Sequence, residues 1–253
     1  HRENSVPLKL ESLHRGSGVP ITFVHGFTQT SRSWDHVIDV LSPHFSCSSL
    51  DAPGHGGSIN GERTLPECGD DIAESMTAGI LVGYSMGARM ALHTALQHPE
   101  MVTKLVLISG TAGIDNPSER SGRRASDNEL AERIMSIGVQ QFISEWLALP
   151  MFSGLTSETA QVSERLRNSP EGLSHSLRFA GTGTQEPLWN RLRELSMPVL
   201  LIAGENDEKF VQLARRLHEH MLSSQLEIVH HSGHTVHLEQ PKEFIRLLTE
   251  FAS

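Results

Sequence analysis

Residues 83–87 read Gly83-Tyr84-Ser85-Met86-Gly87, with Ile80-Leu81-Val82 before them and Ala88-Arg89-Met90-Ala91-Leu92 after them. The pattern is that of a strand, a sharp turn and a helix, with a serine at the apex. Such a turn presents the hydroxyl in a strained, accessible position suited to a nucleophile or base. An ordinary glycine-rich turn has the same five residues, but the flanking strand and helix favour the reactive reading. A serine hydroxyl is a weak acid, so it needs a general base, usually a histidine oriented by a carboxylate. Asp207, in Ala203-Gly204-Glu205-Asn206-Asp207, and His234, in Ser232-Gly233-His234, are the candidates. Both follow a strand-like run, as Ser85 does, so the three are expected at one edge of a sheet. The chain has 15 histidines, and His230, His231 and His237 stand close by. Gly233, which permits a sharp turn, favours His234. Glu205 rivals Asp207, which lies farther beyond the strand end.

Negative charge that develops on a reacting oxygen needs preorganised backbone donors. One candidate is the N–H of Met86, next to the serine at a helix N-terminus. The other is the N–H of Phe27, on the loop that follows Phe23-Val24-His25-Gly26. A plain strand-ending turn would also explain His25-Gly26-Phe27.

The elements that must position these groups can be read from periodicity. Strands are expected at Leu8–His14, Pro20–Val24, Phe45–Leu50, 79–84, Val102–Ile108, Pro198–Ala203 and 225–230. Helices are expected at Ser33–Leu41, 67–77, 86–97 and about 208–221, with a last one opened by Pro241. The stretch from Gly61 to Gly79 is short, which points to a truncated helix before the serine strand. Residues 115–195 show helical segments and no convincing strand. Strand–helix alternation broken by a helical block predicts an α/β fold: a mostly parallel sheet flanked by helices, with an inserted helical cap. The core would comprise 1–114 and 196–253 and the cap 115–195, with the ligand held where strand C-termini meet the cap.

Composition narrows the function. The chain has 253 residues and a net charge of −9, which argues against nucleic acid as a partner. No apolar run approaches the length of a transmembrane helix. The segment His1-Arg2-Glu3-Asn4-Ser5-Val6-Pro7 lacks the apolar stretch of a signal peptide and a Met, so the start is read as trimmed. Cys47 and Cys68 are too few for a disulfide framework and lack metal-ligand spacing, which points to a reducing cytoplasm. No metal site is expected. The cations are 17 Arg and 4 Lys, and residues 115–185 hold seven Arg and no Lys. Ordinary helix-surface charge would account for that bias, and so would recognition of carboxylates by planar guanidinium groups.

His25-Gly26-Phe27, Asp51-Ala52-Pro53-Gly54-His55-Gly56-Gly57-Ser58, the serine segment through Arg89 and Ser232-Gly233-His234 together resemble the α/β-hydrolase fold. The order serine, acid, histidine is that of the fold. Leu177-Arg178-Phe179-Ala180-Gly181-Thr182-Gly183-Thr184-Gln185-Glu186-Pro187-Leu188-Trp189 and Gly204-Glu205-Asn206-Asp207-Glu208-Lys209-Phe210 are more specific. With Tyr84, Arg89 and Arg120-Ser121-Gly122-Arg123-Arg124, they resemble the 2-succinyl-6-hydroxy-2,4-cyclohexadiene-1-carboxylate (SHCHC) synthases of menaquinone biosynthesis. The likeness runs over nearly the whole chain. Ala88 departs from it, standing where a second glycine is commoner.

That resemblance implies a lyase rather than a hydrolase. It would eliminate pyruvate from 2-succinyl-5-enolpyruvyl-6-hydroxy-3-cyclohexene-1-carboxylate, without a metal or organic cofactor. Ser85, activated by His234 and Asp207, would remove a ring proton, with Phe27 and Met86 as oxyanion donors. It maps substrate binding onto Tyr84, Arg89, Arg123, Trp146 and Arg165, with Arg124 and Arg167 as adjacent alternatives. A solvated helix face is the competing account of Arg123 and Arg165. The implied partner is a small polycarboxylate, with no membrane insertion and no oligomeric state specified. A serine carboxylesterase or carbon–carbon bond hydrolase would use the same triad, and a binding protein with a vestigial site would keep the fold. An intact serine, acid and histidine disfavour the last.

Overall fold

A computed structural model describes residues 5–59 and 61–253. The reading of the N-terminus rests mainly on His1–Asn4, which lie outside the described residues. The core elements in chain order are β1 (Ser12–Arg15), β2 (Val19–Val24), α1 (Asp35–Leu41), β3 (Phe45–Leu50), α2 (Leu65–Ser75), β4 (Gly79–Tyr84), α3 (Met86–Gln97) and β5 (Val102–Ile108). Then come α4 (Pro117–Leu147), α5 (Val162–Arg165) and α6 (Pro170–Ala180), with short 3-10 turns between and after them. The chain returns to the sheet through β6 (Val199–Gly204), α7 (Glu208–His220), β7 (Ser224–Val229), α8 (Val236–Glu239) and α9 (Pro241–Ala252).

The seven strands lie in the order β1-β3-β2-β4-β5-β6-β7. β1 runs antiparallel to β3, and every other pair is parallel. Parallel strands are covered on both faces, so they read as unbroken apolar runs. β4 is buried along its whole length. Because successive side chains point to opposite faces, Leu81, Leu105, Leu107 and Leu201 pack on one side with residues of α2 and α3. Val82, Val106, Ile108 and Ile202 pack on the other with α1 and α9. The result is the α/β-hydrolase fold: a mostly parallel sheet between two helical layers.

Two local expectations change. β1 is shorter than Leu8–His14, because the N–H groups of Leu8, Leu10 and Glu11 bond to the side chains of Asp71, Ser75 and Ser58 instead of a strand. α2 is a full 11-residue helix. Thr64 and Glu67 form a capping box and Pro66 sits in the first turn, so the helix starts earlier than the apolar spacing indicates.

Asp71 anchors this corner. It is wholly buried, and its carboxylate accepts from Arg63 Nε at 2.8 Å, Arg63 Nη2 at 2.6 Å and Leu8 N at 2.7 Å. Asp71→Asn keeps the shape and removes the charge, leaving the buried guanidinium undercompensated. We expect a loss of about 2 kcal/mol in urea unfolding. An unchanged midpoint would show that water already solvates the pair.

Among the described residues, the chain between β5 and β6 forms helices and 3-10 turns and no strand. α4 is two helical segments joined at Gly138, whose φ of 81° breaks the helix. Its two arms and α6 share a small core of Ala131, Ile134, Phe142, Ile143, Leu173 and Leu177. No helix among the described residues is long and apolar enough to cross a membrane.

Candidate active site

Ser85 sits between β4 and α3 with φ 52° and ψ −109°, a left-handed conformation that few non-glycine residues adopt. The flanking glycines allow it. A Cβ on Gly83 would lie 2.3 Å from Gly87 O, and one on Gly87 would lie 2.2 Å from Val24 O. Strand, turn and helix therefore touch backbone to backbone.

Asp207 ends the loop after β6, and His234 stands on the loop after β7. Asp207 Oδ2 lies 2.7 Å from His234 Nδ1, and His234 Nε2 lies 3.0 Å from Ser85 Oγ. A carboxylate on Nδ1 keeps the proton there, so Nε2 is free to accept the serine proton. Glu205, the rival acid, instead pairs with exposed His230 and accepts from His231 N. His237 is buried and stacks on Trp34 at 4.2 Å between centroids. The geometry thus brings together Ser85, Asp207 and His234 and sets the competing residues apart.

Residues with no local signal hold the histidine loop. Glu239 accepts from Gly233 N and Thr235 N, both at 3.0 Å, gripping His234 from either side. Ser109 Oγ donates to His234 O at 2.7 Å. Tyr84 Oη lies 2.7 Å from Thr235 Oγ1, and burial pushes the phenol pKa up, so it stays protonated. The Phe27 and Met86 N–H groups have no hydrogen-bond partner among the described residues. Met86 also opens α3, where the helix dipole favours negative charge.

These groups share a cavity of about 670 Å³, within the range of small-molecule sites. Its wall includes Phe27, Tyr84, Ser85, Met86 and His234, together with Arg89, Arg123, Trp146 and Arg165. Arg124 and Arg167 are not part of that wall, and Arg167 pairs with Glu164 on the surface at 3.0 Å. Arg123 is partly exposed and pairs with Asp127 at 3.1 Å. Arg89 and Arg165 differ: neither makes an ion pair among the described residues. Arg89 Nη1 donates to Ala180 O at 2.7 Å; Arg165 Nε donates to Ala160 O at 2.7 Å and its Nη1 to Thr28 Oγ1 at 2.6 Å. Burial pushes both guanidinium pKa values down to about 10. Trp146 Nε1 is likewise buried with no partner among the described residues. Lys209, Phe210 and Arg216 also line the cavity. The first two belong to the segment that drew attention in the sequence; Arg216 gave no signal. Among the described residues, no group of three or more His, Cys, Asp or Glu is placed to hold a metal ion.

Residues 23–247 match the profile of the Alpha/beta hydrolase family. A Bacillus subtilis (strain 168) protein that carries the provisional name of SHCHC synthase is 38% identical, covering 91% of this chain and 89% of its own. The chain belongs to the α/β-hydrolase family, on its SHCHC synthase branch. The SHCHC synthase of Enterobacter sp. (strain 638) is 31% identical over 87% of this chain and 86% of its own. In structure, MenH from S. aureus superposes with a TM-score of 0.86 at 30% identity, covering 96% of this family member and 97% of that chain. A thermophilic esterase from Thermogutta terrifontis shares the fold, with a TM-score of 0.83 at 23% identity, covering 96% and 92% of the two chains.

Proposed function

We propose that this enzyme is a carbon–oxygen lyase of menaquinone biosynthesis. It eliminates pyruvate from 2-succinyl-5-enolpyruvyl-6-hydroxy-3-cyclohexene-1-carboxylate and leaves SHCHC. The observation that carries the reading is a pair of arginines without an ion pair among the described residues, the buried Arg165 and the half-buried Arg89, which share the cavity with Ser85 and His234. A buried cation without a counter-ion is costly, and the depressed pKa values record that cost. A substrate carboxylate supplies the missing charge and restores the guanidinium to its ordinary range. The substrate has three carboxylates. A neutral ester would leave both cations uncompensated.

The chemistry follows from the geometry. The acidic ring proton is on the carbon that bears the succinyl ketone. Ser85 Oγ takes it as His234 Nε2 takes the serine proton, and Asp207 stabilises the imidazolium. The electron pair of the broken C–H bond moves onto the ketone oxygen, which the Phe27 and Met86 N–H groups stabilise. That pair then returns through the ring double bond and breaks the ring C–O bond. The enolpyruvyl oxygen leaves with the electrons, the three-carbon fragment is protonated to pyruvate, and the ring becomes a diene. No metal or organic cofactor enters these steps. Tyr84 and Trp146 line the substrate site. In this reading residues 115–195 form the cap over a core of 1–114 and 196–253, and the reaction takes place in the cytoplasm.

An esterase with the same triad makes a different prediction. Lysine keeps the charge of arginine but loses its two-pronged geometry. Arg89→Lys and Arg123→Lys are each expected to lower kcat/KM for the enolpyruvyl substrate by at least about tenfold, or roughly 1.4 kcal/mol. Hydrolysis of a short-chain p-nitrophenyl ester should change by less than about twofold if the arginines act only on carboxylates. Parallel loss of both activities would make the arginines structural and return the esterase reading to the front.

A further inference from the structure

The oxyanion loop is tied to the cap through one strained residue. Thr28, next to Phe27, has φ 72°, a conformation that a β-branched residue holds only under restraint. Each of its polar groups is gripped. Its N–H donates to His55 Nε2 at 3.1 Å, its Oγ1 accepts from Arg165 Nη1 at 2.6 Å, and its carbonyl accepts from Asn168 Nδ2 at 2.7 Å. Asn168 Nδ2 also donates to Gln29 O at 3.2 Å, and Asn168 Oδ1 accepts from Gly56 N at 2.8 Å. His55, Arg165 and Asn168 are 0, 2 and 5% exposed. One asparagine from the helical region therefore joins the loop after β2 to the turn after β3.

The grip reaches the Phe27 N–H through a planar peptide. The Gly26 carbonyl accepts from Gln29 N at 3.1 Å and lies 2.8 Å from His25 Nδ1. His25 Nε2 accepts from Ala52 N at 3.0 Å, which leaves the ring proton on Nδ1 and makes it the donor. In a trans peptide the N–H points opposite the carbonyl, so fixing Gly26 O on one side aims the Phe27 N–H to the other. Gln29, which supplies half of that hold, is itself set by Thr28 and Asn168. His55 Nδ1 lies 3.2 Å from Pro53 O, which leaves Nε2 as the acceptor for Thr28. Burial pushes the His55 pKa down to about 3, so it remains an acceptor at ordinary pH.

We propose that Asn168 and His55 are positioning residues that clamp Thr28 and thereby hold the Phe27 N–H as an oxyanion donor, so that core and cap build the oxyanion hole jointly. The proposal rests on the lyase reading only for its substrate; any oxyanion formed at Ser85 would use the same donor.

The test compares Asn168→Ala, His55→Leu and His55→Gln with the parent enzyme, each first shown to be folded by near-ultraviolet circular dichroism. Glutamine keeps an acceptor for the Thr28 N–H and leucine does not. Steady-state kinetics on the enolpyruvyl substrate are paired with binding of phenylboronic acid, whose tetrahedral serine adduct mimics an oxyanion. Displacing one donor is expected to lower kcat by at least about tenfold, with KM within about threefold, and to weaken boronate binding at least about tenfold. His55→Gln should recover the greater part of what His55→Leu loses. Folded variants with parental kcat and boronate affinity would reduce the clamp to a packing role, and a rise in KM at constant kcat would assign Asn168 to substrate binding; either overturns the proposal. If Asn168→Ala does not fold, the two His55 variants decide. A parent that binds boronate but does not release pyruvate overturns the lyase reading alone, and the boronate comparison then decides the clamp. A parent that does neither overturns both.

Discussion

Ser85→Ala is expected to lower pyruvate release by about 10²- to 10⁴-fold, the range that a positioned proton-transfer group supplies. That corresponds to roughly 3–5 kcal/mol of transition-state stabilisation. The change removes one oxygen from a turn whose geometry rests on Gly83, Gly87 and backbone contacts, so the fold should persist. His234 Nε2 then loses its partner at 3.0 Å, and the ring proton has no acceptor placed to receive it. The cavity arginines and the N–H groups of Phe27 and Met86 remain, so residual rate above solution and near-normal substrate binding are expected. A coupled assay of pyruvate release, with substrate affinity from single-turnover measurements, checks both parts. Activity within about threefold of the parent would reject Ser85 as the base.

Gly87→Ala should be as damaging to the fold as Ser85→Ala is to turnover. The added Cβ would lie 2.2 Å from Val24 O and 2.6 Å from His25 O, both backbone atoms of a buried strand end. Neither can swing away as a side chain would, so α3 must lift off the sheet. A cost of about 3–5 kcal/mol is expected, a large part of the 5–15 kcal/mol that stabilises ordinary domains. Urea unfolding measures it directly. The folded fraction should also turn over slowly, because His25 and the loop behind it carry Phe27. A variant with the parental midpoint would mean that strand and helix separate at little cost.

The sequence made the parts of the molecule with local causes legible. Strands β4 and β5 and helix α3 follow from unbroken apolar runs and the glycine-flanked serine, and they lie where periodicity places them. The elements that carry Asp207 and His234 are offset by only a residue. The N-terminal strand was less legible because side chains of Asp71, Ser75 and Ser58, far along the chain, take hydrogen bonds that a strand would have made. The site divides in the same way. Ser85, Asp207 and His234 announce themselves by turn chemistry beside a strand end. Arg123 and Arg165 could not be told from Arg124 and Arg167 by type or spacing; only the rotation of α4 and α5 against the sheet chooses between them. Glu239 and Asn168 gave no signal, since each acts through backbone groups of another segment, and neither did Thr28, whose own backbone is held by side chains far along the chain. Such bonds need a carboxylate, an amide or a strained backbone, which many surface residues offer equally well.

The insertion of helices between β5 and β6 also has a cost in time. β5 pairs with β4 on one side and β6 on the other, yet some ninety residues separate β5 from β6. A ribosome adds roughly 5–20 residues per second, so the outer edge of β5 waits on the order of 5–20 s for its neighbour. During that interval the nascent sheet ends in a bare apolar edge, the kind that invites pairing with another chain. The helices that line the substrate cavity in the finished enzyme thus also set how long its sheet stays half built.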